Sequence, residues 1–482
     1  MCSNINNKKQ QRIALLVDNP QRDLPGLCLV ARAIARKGAI CFLVPMNLRT
    51  SEIWALAPDL VLINHLRTIY ENWVEELLKA NILIGILDTE GNVFGTVPSN
   101  AIINKTKSSQ STGKRLPALE QHALSMTRNP EIRRQVACYC VWTPSFADYA
   151  NKARWYENKQ MFITGTPRAD FYSPCWHKAS LRISPHFTRE SEKIILVATN
   201  FPLANPRFAT PKKEVKNLTS LYNYDADFVR KCESTQLNAL KGLIELVTQL
   251  SDAFPDQTIV CRPHPFENDN IYIESFKSLQ NVHLGRDGTM DGWLLRATFL
   301  VHWGSSSAIE ASMLDIPTLA LGWLPLSFPI PHVEDLSDKC NDANELIAKA
   351  SAIIKQNYTI PETVLCNRER VIASTYDKID GKSHERVAEA LLITLNKNPS
   401  KPNKEFCRDA LNPTTAVSSK IPWDNSEKYF GKSKIITIMD AIDLTDEKKD
   451  FELKKKLKIE FASERGDYQD KFPNGRTITI ST

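Results

Sequence analysis

Two carboxylates with one residue between them, Asp88 and Glu90, close the apolar run Ile82-Leu-Ile-Gly-Ile-Leu87, and Gly91 follows them. Paired carboxylates at a strand end can push each other's pKa values apart, leaving one as a general acid or base near neutrality. The competing reading is a solvated turn. A second β-favouring run, Ile259-Val-Cys-Arg262, is delivered into Pro263-His-Pro-Phe-Glu267. The prolines fix their own φ and push Arg262 and His264 out of the α region. This stiff turn, with Arg262, His264, Pro265 and Glu267, suits a phosphate or a charged sugar. A histidine that only satisfies local hydrogen bonds is the alternative.

Three further stretches could carry chemistry. His302-Trp-Gly-Ser-Ser-Ser307 leads from a strand pattern into a helix pattern, so Ser305, Ser306 and Ser307 with free backbone N–H groups could take a phosphate. A serine N-cap without ligand is the simpler reading. Gly165-Thr-Pro-Arg-Ala-Asp170 places Arg168 and Asp170 after a strand, where a tight turn with a surface ion pair is equally compatible. Arg22-Asp23, Arg67 in Asn64-His-Leu-Arg67, and Asn200 in Thr199-Asn-Phe also follow strand patterns and are expected to line a cleft. Asp225-Ala-Asp227 spells the D-x-D of metal-dependent sugar transferases, but it precedes a helix, where acidic residues complement the dipole; no metal site is expected.

The elements that must position these residues read as alternating apolar strands and amphipathic helices, the signature of parallel βαβ units. Strands are expected at Arg12–Val17, Ile40–Val44, Asp59–Ile63, Ile82–Leu87, Cys138–Trp142 and Met161–Thr164, with a helix over Leu24–Lys37. A second set starts at Lys193–Ala198 and continues through Ile259, Thr298–His302 and Thr318–Leu321. Its long helix, Ala226–Ala253, carries an apolar stripe of Leu237, Leu240, Leu243, Ile244, Val247 and Leu250, and helices near Ala343–Lys355 and His384–Asn396 close it. In open α/β sheets, ligands sit outside the carboxyl ends of the strands, where these polar residues fall.

At 482 residues the chain exceeds what one hydrophobic core usually supports. We expect a polar lead over 1–11, a first Rossmann-like domain over 12–185, a second over 193–396, and a linker and lysine-rich tail over 397–482 of open role. Apolar content of 42% and charged content of 24% are ordinary for a globular protein, and a net charge of +6 does not demand nucleic acid. The eleven cysteines lack C-x-x-C spacing, which argues against a zinc site or a disulfide framework. The polar amino terminus and the lack of any run near the ~20 apolar residues of a membrane span lead us to expect a cytoplasmic enzyme.

Two Rossmann-like halves with a carboxylate turn, then a His-Pro turn and a serine cluster, resemble GT-B glycosyltransferases that use CMP-activated sugars. The Asp/Glu-x-Glu-Gly turn and the His-Pro motif look like those of bacterial sialyltransferases and of Kdo (3-deoxy-manno-octulosonate) transferases. The chain is more closely similar to the bacterial surface carbohydrate biosynthesis proteins of lipopolysaccharide and capsule loci. That likeness rests on Asp18–Gly26, Ala57–Asn64, Leu87–Gly91, Gly165–Asp170, Arg262–Glu267 and Gly304–Ser307, and covers about residues 12 to 395.

The resemblance implies a GT-B fold, two Rossmann-like domains with a cleft between them, with no cofactor and no metal. His264 would contact the CMP phosphate, Arg262 would neutralise charge, Ser305 and Ser306 would hold the phosphate, and Glu90 would activate the acceptor hydroxyl, with Asp88 as its understudy. Asp170 would be the nucleophile of a retaining double displacement. The implied donor is CMP-Kdo or a related CMP-ulosonate, and the acceptor an oligo- or polysaccharide, lipid-linked or free, of O-antigen or capsule. Enzymes that transfer polyol phosphate from CDP-glycerol or CDP-ribitol, UDP-sugar enzymes and a non-enzymatic glycan-binding scaffold are the rival readings. The tail lies outside the resemblance, and a small appended module, an arm for peripheral docking to the inner membrane or to another synthase, and disorder are all open to it.

Overall fold

The computed structural model describes residues 10–90, 129–184, 193–221, 224–327, 330, 332–411, 430–445, 457–469 and 475–482. The chain divides into two compact units. Among the described residues, the first takes those up to 90, 129–183 and Tyr376–Thr482, and the second takes Ser184–Thr375.

In the first unit, runs of β-branched and other apolar residues form β1 (Arg12–Val17), β2 (Ile40–Pro45), β3 (Leu60–Ile63), β4 (Leu83–Leu87), β5 (Cys138–Val141) and β6 (Met161–Ile163), all close to the expected spans. They pair in parallel in the order β2-β1-β3-β4-β5-β6. Near-continuous burial along β1 to β5 fits a sheet covered on both faces. The helix Leu24–Arg36 lays Leu27, Val30, Ala31 and Ile34 on this core. Gly26 lets it approach closely, since a Cβ there would stand 2.8 Å from the Arg168 backbone nitrogen and 2.9 Å from the Pro167 carbonyl carbon.

Two boundaries differ from the sequence-based expectation. The helix expected at His384–Asn396 to close the second half, found at Ser383–Lys397, belongs instead to the first unit, where Val387, Ala388, Leu391 and Leu395 pack into the core with Leu24–Arg36. Helical periodicity says that a face is buried; it does not say against which sheet.

The tail is likewise built into the first unit. Within it β13 (Lys458–Phe461) and β14 (Ile478–Ser481) form an antiparallel pair, and β14 continues the sheet antiparallel to β2. Buried Glu52 fastens this extension by accepting from the Tyr468 hydroxyl at 2.8 Å, from the Arg476 and Thr477 backbone N–H groups at 2.8 Å each, and from the Thr477 hydroxyl. Arg32 pairs with Asp443 at 2.8 Å in a second buried tie, to the helix Lys432–Asp443.

The second unit has β7 (Ile194–Ala198), β8 (Thr258–Arg262), β9 (Val282–Leu284), β10 (Ala297–His302), β11 (Thr318–Leu321) and β12 (Asp338–Cys340). All pair in parallel, in the order β12-β11-β10-β7-β8-β9. Counted from β7, that is the 3-2-1-4-5-6 order of dinucleotide-binding sheets. The helix Ala226–Ala253 spans the expected residues, and its Leu240, Leu243, Val247 and Leu250 are buried, whereas Leu237 from the expected stripe is exposed. Asp225 caps this helix by accepting from the Asp227 and Phe228 N–H groups at 3.1 and 2.9 Å, so the D-x-D serves as an N-cap.

Candidate functional site

Each unit has a strand order that reverses once, and the loops on either side of such a reversal leave a crevice at the strands' carboxyl ends. In the first unit the reversal lies between β1 and β3. Asn64, directly after β3, donates its side-chain amide to the Leu16 carbonyl of β1 at 3.2 Å, while its own carbonyl accepts the Thr89 N–H at 3.0 Å. Asp23, Asn64, Asp88, Thr89, Thr166 and Arg168 line one pocket here. Asn64 opens the Asn64–Arg67 stretch expected at a cleft, whereas Thr89 and Thr166 are not named as site residues from the sequence, although each follows a strand.

The charged residues of this crevice are paired. Arg22 reaches both oxygens of buried Asp23, at 2.7 and 3.1 Å. Burial opposes the Arg22 charge, but Asp23, then Glu90 and Asp18, outweigh it and hold its pKa above the usual value. Arg67 forms an ion pair with Glu90, whose side chain is 38% exposed. Asp88 is buried; one carboxylate oxygen accepts the Glu90 N–H at 2.9 Å, and its carbonyl accepts the Trp142 indole N–H at 2.8 Å. Asp88 therefore shapes the turn, and Glu90 is the carboxylate presented at the surface. Gly91 lies outside the described residues. Arg168 stacks over Trp142, 5.1 Å from the ring centroid, and donates to the Tyr376 hydroxyl at 3.2 Å. His65, stacked on Tyr70 at 5.0 Å, is pushed towards its neutral form by burial and then by Arg67.

Asp170 has a different role from the expected nucleophile. It is 1% exposed, and its oxygens accept from the Ser383 N–H at 2.8 Å, the His384 N–H at 2.9 Å and the His384 ring at 2.8 Å. Lys382, at the N-cap of the helix Ser383–Lys397, gives no side-chain cap, so Asp170 caps that helix from far away in sequence. A carboxylate engaged by three donors inside the core is not positioned to attack a sugar.

In the second unit the reversal lies between β7 and β10. Consecutive residues after β7 tie the two flanking turns: the Thr199 hydroxyl accepts the His264 N–H at 3.1 Å, and the Asn200 amide donates to the Gly304 carbonyl at 3.0 Å. Gly304 sits at φ +56°, and a Cβ there would meet Leu326 at 2.9 Å, so this turn requires glycine. His264 Nδ1 accepts the Phe266 N–H at 3.2 Å, which leaves the proton of a neutral imidazole on Nε2, a donor suited to a phosphate oxygen.

Two residues expected to touch the nucleotide instead build the turn. Arg262 spends its guanidinium on the carbonyls of Gly285, Asp287 and Gly288, at 2.8, 3.1 and 2.9 Å. Arg286 reciprocates, donating to the His264 carbonyl at 3.0 Å and to that of Glu267, and pairing with Asp269. Glu267 is fully buried and accepts from the Thr199 hydroxyl at 2.7 Å, the Phe201 N–H at 2.8 Å, the His264 N–H at 3.3 Å and the Tyr272 hydroxyl. Burial pushes its pKa up, against those hydrogen bonds. Pro265 is exposed and stiffens the turn.

The serines divide in the same way. Ser305 gives its N–H to His302 Nδ1 at 3.3 Å and its hydroxyl to Ser307 Oγ at 3.0 Å, and Ser307 returns its N–H to Ser305 Oγ at 3.3 Å. Among the described residues no partner takes the N–H or hydroxyl of Ser306, the one serine left to meet a ligand. The helix that follows, Ser307–Ser312, is short, so any attraction for an anion comes from local N–H groups more than from a helix dipole. His302, bonded to Ser337 at 2.7 Å, is held neutral with its pKa lowered to about 3 by burial and then by Arg368.

The two sheets define a protein of two Rossmann-like α/β units, each with polar residues at its switch point. No family model and no curated protein matches the chain. Solved structures similar to it include UDP-GlcNAc 2-epimerase from Methanocaldococcus jannaschii in complex with UDP-GlcNAc and UDP, 12% identical with a TM-score of 0.44 over 79% of this chain and 99% of that one. Another is UDP-GlcNAc 2-epimerase from Neisseria meningitidis bound to UDP-GlcNAc, 11% identical with a TM-score of 0.42 over 80% and 99%. The wall teichoic acid polymerase TagF is 13% identical with a TM-score of 0.44 over 70% and 74%. At these values the likeness carries no argument about the site. Among the described residues no helix is long and apolar enough to cross a membrane.

Proposed function

We propose that the chain is a GT-B glycosyltransferase that moves a sugar from a CMP-linked donor, CMP-Kdo or a related ulosonate, to a growing bacterial surface glycan, without a metal. The observation that carries the reading is the tie made by Thr199 and Asn200, which brings the His264 turn and the Ser306 turn to the two sides of one strand end. His264 Nε2–H and the Ser306 N–H and hydroxyl then serve as donors to the CMP phosphate, with little fixed charge of their own. In the first unit, Glu90 is the group that takes the proton from the acceptor hydroxyl, and Arg67 beside it balances charge. Asp170 is left out of this mechanism.

The test is a melting experiment with CMP, CDP, UDP and GDP in turn, in the presence of a chelator. A ligand that binds only the native state at ~100 times its Kd adds about 2.7 kcal/mol of stability. A shift with CMP that is lost in His264→Ala, where a charge-assisted phosphate contact of about 1.5–3 kcal/mol disappears, is the expected result. A shift with UDP or GDP alone would discard the CMP donor. Protection by CDP-glycerol with transfer of polyol phosphate would favour the polyol-phosphate reading, and no shift at all would favour a glycan-binding scaffold.

A further inference from the structure

Among the described residues, Phe266 is the aromatic member of the large apolar side chains left exposed, at 44%. A single exposed phenylalanine needs no explanation. This one is held in a built setting. Pro265 precedes it, its N–H is bound by His264 Nδ1 at 3.2 Å, and its carbonyl accepts the Arg207 N–H at 2.8 Å. The loops after β7 and β8 are zipped together here by a Pro206–Glu267 bridge. They are also joined by the Asn268 N–H on the Asn205 carbonyl at 3.0 Å and the Asn205 amide on the Asn268 carbonyl at 2.8 Å. Phe208 meets Phe266 edge-on, with centroids 6.1 Å apart at 78°, and the Arg207 guanidinium lies 5.3 Å from the Phe208 centroid. The His264 ring is 5.7 Å from that of Phe266.

Position adds to this. In a 3-2-1-4-5-6 sheet the phosphate sits by the first strand and the nucleoside extends towards the carboxyl end of the second. That strand is β8, and Phe266 stands in the turn after it. We propose that Phe266, backed by Phe208 and Arg207, is the surface on which the nucleobase of the bound nucleotide stacks while His264 and Ser306 hold its phosphate. The inference rests on the nucleotide reading given above. Stacking uses the π-face that every base has, so this surface supplies affinity and not base identity.

Calorimetric titration of wild type, Phe266→Leu and His264→Ala with CMP, UMP and ribose 5-phosphate tests it. In Phe266→Leu, CMP binding is expected to weaken about tenfold, and UMP binding, where wild type shows it, by the same factor. Ribose 5-phosphate, which has no base, is expected to bind that variant as it binds wild type. His264→Ala should weaken all three ligands, and Phe266→Trp should restore CMP binding. Because Phe266 is exposed, the unliganded variant is expected to melt with wild type. CMP affinity unchanged in Phe266→Leu but lost in His264→Ala would overturn the stacking surface and leave the nucleotide reading standing. Wild type that binds none of the three ligands would overturn the nucleotide reading, and the stacking surface with it.

Discussion

The crevices of the two units solve the same topological problem with opposite chemistry. In the first, formal charges face one another at the strand ends: Arg22 with Asp23, and Arg67 with Glu90. In the second, charge is withdrawn into the framework. Arg262 and Arg286 are consumed by each other's loop carbonyls, Glu267 is sealed under four donors, and His302 is neutral. What this crevice offers a ligand is an imidazole N–H, a backbone N–H and a hydroxyl. Arginine keeps its proton beside a carboxylate, so these pairs hold formal charge at the strand ends, whereas a fixed neutral lattice of donors suits an anion that must be held and released. The proposed function assigns the chemistry of Glu90 to the first crevice and donor binding to the second, and the contrast is what the following variants test.

The largest test of the contrast is Glu267→Ala. Its loss removes the acceptor of the Thr199 and Tyr272 hydroxyls and of the Phe201 N–H in a buried site, while the His264 N–H keeps the Thr199 hydroxyl, at a cost of about 3 kcal/mol or more. Melting should fall by roughly 6–12 °C, and hydrogen exchange should rise at Thr199–Phe201 and Ile259–Glu267 but not in β1 or β3. Normal protection in those turns would mean that Glu267 is not the hub. Next in size, Glu90→Gln is expected to lower turnover ~10²-fold or more while CMP binding is unchanged. Wild-type turnover in that variant would move acid–base chemistry out of the first unit.

A smaller effect should appear as a pH dependence. His302 stays neutral in the fold down to about 3, against an ordinary value of 6.5, so in that window the unfolded chain binds a proton that the folded chain refuses. Stability is complete above the ordinary value and falls as the pH drops through the window, by ~1.4 kcal/mol per unit and about 2 kcal/mol by pH 5. Denaturant titrations of wild type and His302→Gln should therefore differ in slope below neutrality. Equal slopes would show that His302 does not contribute this linkage.

The sequence by itself determined the local elements and the loops that matter. Apolar runs such as Arg12–Val17 and Thr318–Leu321 form strands where their composition places them, and polar residues directly after them mark the carboxyl-end turns. The cap at Asp225 was also legible, because a helix start is settled by residues three apart. The partners of buried charges were decided only by the tertiary structure. Asp170 and Arg262 look like ligand-binding groups in the linear chain, yet one caps a helix more than 200 residues away and the other is taken up by carbonyls 23 to 26 residues on.

The same holds for Ser383–Lys397 and the tail. An amphipathic face or a short apolar strand states that it must be buried, but several sheets can accept it, and the choice falls to long-range fits such as Glu52 with Thr477 or Leu391 beneath Gly85. Hydrogen bonds to buried groups are strong because water is absent, and water is excluded only once distant segments have met.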